Sequence, residues 1–410
     1  MMKLFSTALL SFFPLFALID LPEDVECYTP DLFTAAADTY MSPEAGVLNL
    51  YSAYRIYEGI DTPWVKEWLG PMPNWYGKAL RLVDMLFIDM PIAETVMVTQ
   101  HEIFGHGAYL RKAGIAARYS IQVPTPYGEG GGATSFSSEE FIALPPYQQS
   151  LVITGGVEAT YRMSNDIALY RLRRGGCFPV QEAILHLFTV SDLTLYALGL
   201  ETDNEFEDEG NDMAAYVDQL NLYYGKKVIS RSGLKGSVLV NLFDLLFLND
   251  FATMWGYFWD GDLADRPWGF CLCGCKIIPA TRVWLAPYGL EYGIGSYVGC
   301  GPVWSFVTIK GGSTAGHGSF SLGVDTPFLY QTGPWIFGCK ADLWLQPSFE
   351  QNGNDARTQF GARGALCLSY KLDAPFLVSG EVSVKSRGYV PGLPGQANTN
   401  FLFGLSYICD

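Results

Sequence analysis

Two rhythms divide the chain. From about residue 28 to 260, apolar residues recur at helical spacing over 45–60, 78–104, 147–173, 180–198 and 212–224, which predicts amphipathic helices there. From Trp268 onward the period drops to two. Trp335, Phe337, Cys339, Ala341, Leu343 and Leu345 alternate with a more polar set that includes Lys340, Asp342 and Gln346. Phe376, Val378, Val382 and Val384 alternate with Ser379, Glu381, Ser383 and Lys385, and Phe401, Phe403, Leu405 and Tyr407 close the chain in the same way. One apolar and one polar face per strand predicts antiparallel strands joined by hairpins, with turn signals such as Leu372-Asp-Ala-Pro375 between them.

Such runs, followed back to Gly269, predict about eight strands of roughly ten residues each. With aromatics near the strand ends (Trp335, Phe349, Phe376, Phe401), the pattern fits a small outer-membrane barrel with Lys340, Asp342, Arg363, Glu381 and Lys385 facing the lumen. A soluble barrel or sandwich has the same alternation with the faces reversed. The fold expected is therefore α+β: a signal peptide over 1–17, a helical domain over 18–262 and an antiparallel β-barrel over 263–410. The signal peptide rests on Met1-Met2-Lys3, the apolar run 4–16 and the small residue Ala17, a run too short to span a bilayer comfortably.

Two segments depart from these rhythms. Residues 237–259 are long and apolar enough to suggest a membrane span. Asp244, Asn249 and Asp250 interrupt them, however, and such groups are costly in lipid, so a core helix is expected. Between the second and third helices, residues 117–123, Gly128, Gly130-Gly131-Gly132 and residues 133–137 read as a Gly-rich hairpin or flap. Without a Lys-Ser/Thr ending it is not a phosphate loop.

Charge and cysteines narrow the partners. With 42 acidic against 26 basic residues, the net charge is −16, which repels nucleic acid and anionic headgroups. No nucleic-acid partner is expected; lipid around the barrel is. Nine cysteines in an exported chain imply disulfides, the odd count leaving one free or paired between molecules. Cys271-Leu-Cys273-Gly-Cys275 lacks C-x-x-C spacing and reads as an aligned strand stripe for packing or intermolecular crosslinks. The acidic run 201–212 lacks the twelve-residue calcium-loop pattern and reads as a solvated loop.

The chemistry concentrates in Gln100-His101-Glu102-Ile-Phe-Gly105-His106-Gly107, which holds two of only four histidines. Zinc hydrolases hold the metal with neutral imidazoles and use a carboxylate as proton acceptor, usually in H-E-x-x-H. Here the spacing is one residue longer. On a regular helix that turns the second ring about 140° from the first. The two converge only where the helix widens by one residue or breaks, most cheaply at Gly105. His186, on an apolar helix, reads as a satisfied core histidine, and His317 as a loop or strand-end residue.

This H-E-x-x-G-H segment resembles the zinc helix of the dipeptidyl peptidase III family. The resemblance implies zinc on His101 and His106, Glu102 as catalytic base, and a third ligand from a Glu on a later helix. Glu158, in Gly155-Gly156-Val157-Glu158-Ala159-Thr160, is the candidate, although Val157 stands where the family has its first Glu. Glu182, Glu201, Asp203 and Asp212 compete for that role. The sequence thus points to an outer-membrane zinc hydrolase acting on a peptide or protein. The alternative is a non-enzymatic barrel or envelope protein with structural histidines.

Overall fold

The computed structural model describes residues 31–69, 72, 74–174, 178–200, 210–261, 264–265, 267–348, 357–372 and 375–409. The expected signal peptide, Glu201, Asp203, the acidic run through 209 and Phe349 lie outside them. The first element is strand β1 (Asp31–Ala37), followed by helix α1 (Pro43–Trp64), started by Ser42, whose hydroxyl accepts from the Ala45 N–H. The expected helix over 78–104 is present as a segmented run. It comprises α2 (Trp75–Asp84), a π-turn at Met85–Asp89, α3 (Met90–Thr99), a second π-turn at Gln100–His106, and α4 (Gly107–Ala113). The Gly-rich insert forms the hairpin of β2 (Ala117–Ile121) and β3 (Gly132–Phe136), and the short α5 (Ser138–Ile142) follows.

Next come α6 (Pro146–Arg173), the two-residue strand β4 (Phe178–Pro179), α7 (Val180–Leu198), α8 (Asp212–Tyr224) and α9 (Arg231–Val238). The apolar stretch over 237–259 is not one core helix. A 3-10 turn (Leu239–Phe243) leads into a break at Asp244, which caps α10 (Leu245–Asp260) by accepting from the Leu246 and Phe247 N–H groups. Asp244 also pairs with buried Arg282 at 2.9 Å. A residue that would be costly mid-span is thus the one that ends the first helix and starts the second.

The remaining strands are β5 (Ala264–Asp265), paired with β4, then β6 (Phe270–Leu272), β7 (Cys275–Ala286), β8 (Gly289–Cys300), β9 (Val303–Thr314), β10 (His317–Thr332), β11 (Trp335–Pro347), β12 (Thr358–Lys371), β13 (Phe376–Lys385) and β14 (Asn398–Cys409). One antiparallel sheet of ten strands runs β1-β14-β13-β12-β11-β10-β9-β8-β7-β6. This corrects the expected eight-stranded barrel. The N-terminal β1 joins the sheet, and among the described residues β1 and β6 end it without pairing with each other. The expected boundary near 262 is likewise not a packing boundary, because Leu110, Leu151 and Leu220 share one core with Val283 and Leu285.

On β11 to β14 the apolar side chains face outward and charged ones face inward. Leu343, Leu345, Phe360, Leu366, Val382, Phe401 and Phe403 are exposed on the outer face. Toward the helices, buried Lys340 pairs with Glu44 and Glu381, Arg363 reaches Asp342 and Glu381, and Arg162 of α6 reaches Asp325, Asp166 and Glu44. Lys385 is buried as well. At one end Trp335 meets Tyr370 and Phe376 meets Tyr407, aromatic pairs at strand termini.

The cysteine stripe is also corrected. Cys273-Gly274 is a two-residue hairpin turn, φ +51° and +79°, between β6 and β7. That left-handed pair fits the primed turn that tight hairpins favour. Cys275 bonds Cys300 across β7 and β8, while Cys271 and Cys273 are free and exposed.

Candidate metal centre

The extra residue between the two histidines is absorbed by the π-turn at Gln100–His106, where the Gly107 N–H reaches back five residues to the Glu102 carbonyl. In such a turn residues five apart stack as residues four apart do in an α-helix. The two imidazole rings therefore lie one above the other, centroids 4.9 Å apart. The widening predicted from the spacing is present, but Gly105 does not break the helix. Its role is close approach: a Cβ there would lie 2.6 Å from the Gly155 carbonyl oxygen and from Gly156 Cα on α6. Gly156 in turn leaves room for the first ring, since a Cβ on it would lie 2.2 Å from His101 Nε2. The Gly-Gly pair on α6 and the glycine of the motif are thus halves of one helix crossing.

Each ring is aimed through its Nδ1. His101 Nδ1 lies 2.9 Å from Asp192 Oδ2 on α7, and that carboxylate also accepts from the Thr160 hydroxyl at 2.7 Å. His106 Nδ1 lies 2.6 Å from the Val152 carbonyl oxygen, which must accept. Holding the protons on Nδ1 leaves both Nε2 atoms as acceptors, and they face one another at 3.1 Å. Asp212 Oδ2, in the first turn of α8, lies 3.0 Å from one and 3.1 Å from the other. Tyr196 stacks on the His101 ring.

Three acceptor atoms converging at this spacing repel one another unless something positive lies among them. A proton on one Nε2 serves, and so does a cation. Ligand atoms about 3 Å apart match bonds of about 2 Å from nitrogen and oxygen to one zinc-sized ion. His101, His106 and Asp212 form a group whose donor atoms are mutually within reach of one ion. The Nδ1 contacts to a carboxylate and a carbonyl are the outer partners that metal-bound histidines ordinarily have. The donor set fits a divalent metal.

The electrostatics agree. Burial alone disfavours a charged His101, but Asp192 and Asp212 outweigh it and hold its pKa well above the ordinary histidine value. At His106 burial is likewise outweighed, chiefly by the charge of Asp212, and its pKa is raised. Burial would raise the pKa of Asp212, yet the two imidazoles hold it below the usual carboxylate range. The pocket thus favours positive charge on its nitrogens and negative charge on its oxygen.

Glu102, 4% exposed, is held by the β2–β3 hairpin, Thr134 donating to its Oε2 at 2.6 Å. Glu158, the expected third ligand, is not brought to the histidines. Its carboxylate accepts from the Tyr109, Thr154 and Tyr389 hydroxyls at 2.8 Å and from the Gly392 N–H at 2.9 Å, so its lone pairs are already engaged. It faces a cavity of about 130 Å³ between α6 and the sheet. Glu182 is also elsewhere, bonded to Tyr51, Arg55 and Arg174. The third candidate ligand atom beside the two histidines is that of Asp212, 106 positions beyond the second histidine. His186 is a bonded core histidine, against Asp250, and His317 opens β10 after a turn. A second cluster, Asp61, Asp84 and Asp89, holds three buried carboxylates on α1, α2 and the π-turn at Met85–Asp89.

Compared with known protein families, curated proteins and solved structures, the chain matches none.

Proposed function

We propose that the protein is a metal-dependent hydrolase, with zinc as the metal, a peptide or protein as the substrate, and its sheet held in the outer membrane. The observation that carries the reading is the convergence of His101 Nε2, His106 Nε2 and Asp212 Oδ2 within 3.0–3.1 Å, beside a second carboxylate. Two imidazoles and one carboxylate suit zinc, whereas calcium and magnesium prefer all-oxygen sites. Three protein ligands are the number that leaves a position for water or substrate.

Zinc, when bound, supplies Lewis acidity toward water and the scissile carbonyl. The chain's own groups do the rest. Glu102 takes the proton of the attacking water and returns it to the departing amine, so that one C–O bond forms as the C–N bond breaks. Thr134 fixes the carboxylate oxygen that it touches, leaving the other for the proton. Asp192 and the Val152 carbonyl keep the imidazoles in the tautomer that points Nε2 inward. An edge of the β2–β3 hairpin beside Glu102 offers backbone groups to an extended chain, which supports a peptide over other acyl substrates. The resemblance to dipeptidyl peptidase III is then one of motif and roles, with Asp212 in place of the family's Glu.

Membrane anchoring is supported by the apolar outer face of the sheet and the charged network behind it. The test is Glu102→Gln. Purified full-length protein should keep stoichiometric metal while peptide hydrolysis falls by about 10²–10⁴-fold, the usual weight of a general base. Purified wild-type protein that takes up no stoichiometric zinc would end the hydrolase reading.

A further inference from the structure

Three helical segments turn an apolar stripe outward while burying charged or polar groups. On α10, Leu248, Phe251 and Trp255 are exposed at spacings of three and four residues, while Asn249, Asp250 and Thr253 are buried. On α2, Tyr76, Leu80 and Val83 are exposed, and Arg81 and Asp84 are buried. On α1, Ile56, Ile60 and Trp64 form an exposed i, i+4 row opposite buried Glu58 and Asp61. In water a helix packs the other way round. Buried polar groups behind an outward apolar stripe are what a bilayer demands.

These helices also occupy a particular place. The 3-10 turn at Leu239–Phe243 and α10 pack on β7, α10 packs on α2, α2 touches the π-turn at Val65–Leu69 that prolongs α1, and α1 packs on β1. This is a continuous path from β7, next to the edge strand β6, to β1 at the other edge of the open sheet. Arg81, fully buried, pins it by donating to the carbonyls of Leu69, Met72 and Phe258. No single helix among the described residues is long and apolar enough to cross a membrane alone, although α9 with its 3-10 turn and α10 pass together as a bent pair at 66°. A half-polar helix in a mixed wall would not register as a span, because its inner side is meant to be wet or paired.

We infer that the ten-stranded sheet is closed by helices instead of by a strand-to-strand seam, and that α1, α2 and α10 meet the acyl chains of the bilayer. The occupant of this helical face is lipid hydrocarbon, because its stripes continue the apolar outer face of the strands around the same ring. The inference rests on the membrane reading above and extends it in one respect: beside the sheet, these helices become part of the wall.

The test is photolabelling of full-length protein in phosphatidylcholine vesicles that carry a diazirine on the acyl chain, with labelled residues located by mass spectrometry. Label is expected on the strand positions Leu366 and Phe403 and also on Leu80, Phe251 and Ile60, and not on Arg81 or Asp250. Strand label without helix label overturns the helical wall and leaves the sheet in the membrane. Strand label without helix label, in protein that sediments as a dimer in detergent, overturns it in favour of a second copy of the chain on that face. No label on either set overturns the membrane reading itself.

Discussion

Two carboxylate centres lie along α6, Glu158 buried on the helix itself and Asp212 partly exposed beside it, and they differ in whether their atoms are satisfied. Around Glu158 four donors meet one acceptor group, and nothing further is wanted. Around Asp212 three acceptor atoms meet one another, with both imidazole Nδ1 protons spent elsewhere. A closed network of the first kind fixes tertiary structure: Glu158 ties α6 to Tyr389 and Gly392 in the segment between β13 and β14. An open one of the second kind is deficient in positive charge, which makes it a place for a cation. Acidity, common to both, does not separate them. The direction of the hydrogen bonds does.

The sharpest way to break this comparison is to remove the acceptor that distinguishes the second centre. Asp212→Ala should abolish stoichiometric zinc in purified protein, read by elemental analysis, because two imidazoles alone leave half the usual coordination unfilled. Full zinc occupancy in that variant would mean that the ligand set is wrong. The next effect in size is steric. Gly156→Ala places a methyl group on His101 Nε2, while alanine by itself favours the helix over glycine by about 1 kcal/mol. A protein that folds normally but loses about 10²-fold in hydrolysis is expected, the scale of a 1 Å misplacement. Unchanged hydrolysis would show that the ring is free to move without consequence. Asp192→Asn is milder. It retains the shape beside His101 Nδ1 but removes the charge, and zinc affinity should fall by about 10–100-fold, measured by competition with a chelator.

What the sequence disclosed and what it hid follow from the range of the forces involved. The π-turn was legible because two histidines five residues apart cannot converge on a regular helix, a purely local constraint. That β11 to β14 each carry one apolar and one polar face was legible from alternation alone, but not which face turns outward. Asp212 was only one of four acidic competitors to Glu158, since its arrival beside His101 depends on how α8 packs on α6. β1 escaped notice because Asp-Leu-Phe-Thr-Ala-Ala-Ala carries no strong period, and its partner β14 lies at the other end of the chain. The lipid-type stripes on α1, α2 and α10 were hidden by their own polar residues: a helix with Asp and Arg on its inner side averages to the hydropathy of an ordinary amphipathic helix. In Cys271-Leu-Cys273-Gly-Cys275 the turn-forming Cys273-Gly274 pair was masked by the repeat of cysteines.

The smallest effect is expected at Glu158, and it is the one that bears most directly on the comparison. Glu158→Gln keeps size and shape. Its amide oxygen can take the side facing Tyr109 and the Gly392 N–H, which must have an acceptor. The NH₂ then faces Thr154 and Tyr389, whose hydroxyls have other acceptors at hand, the Ser150 carbonyl at 3.0 Å and the Leu285 carbonyl at 2.9 Å. Both hydroxyls can turn and accept from the amide without stranding a donor. The variant should therefore lose no more than about 1 kcal/mol, the net worth of one rearranged hydrogen bond, and keep its zinc and its hydrolysis. Denaturant unfolding together with metal analysis checks both halves. If zinc were lost on this substitution while Asp212→Ala retained it, Glu158 would be the ligand after all, and the open and closed centres would have to exchange roles.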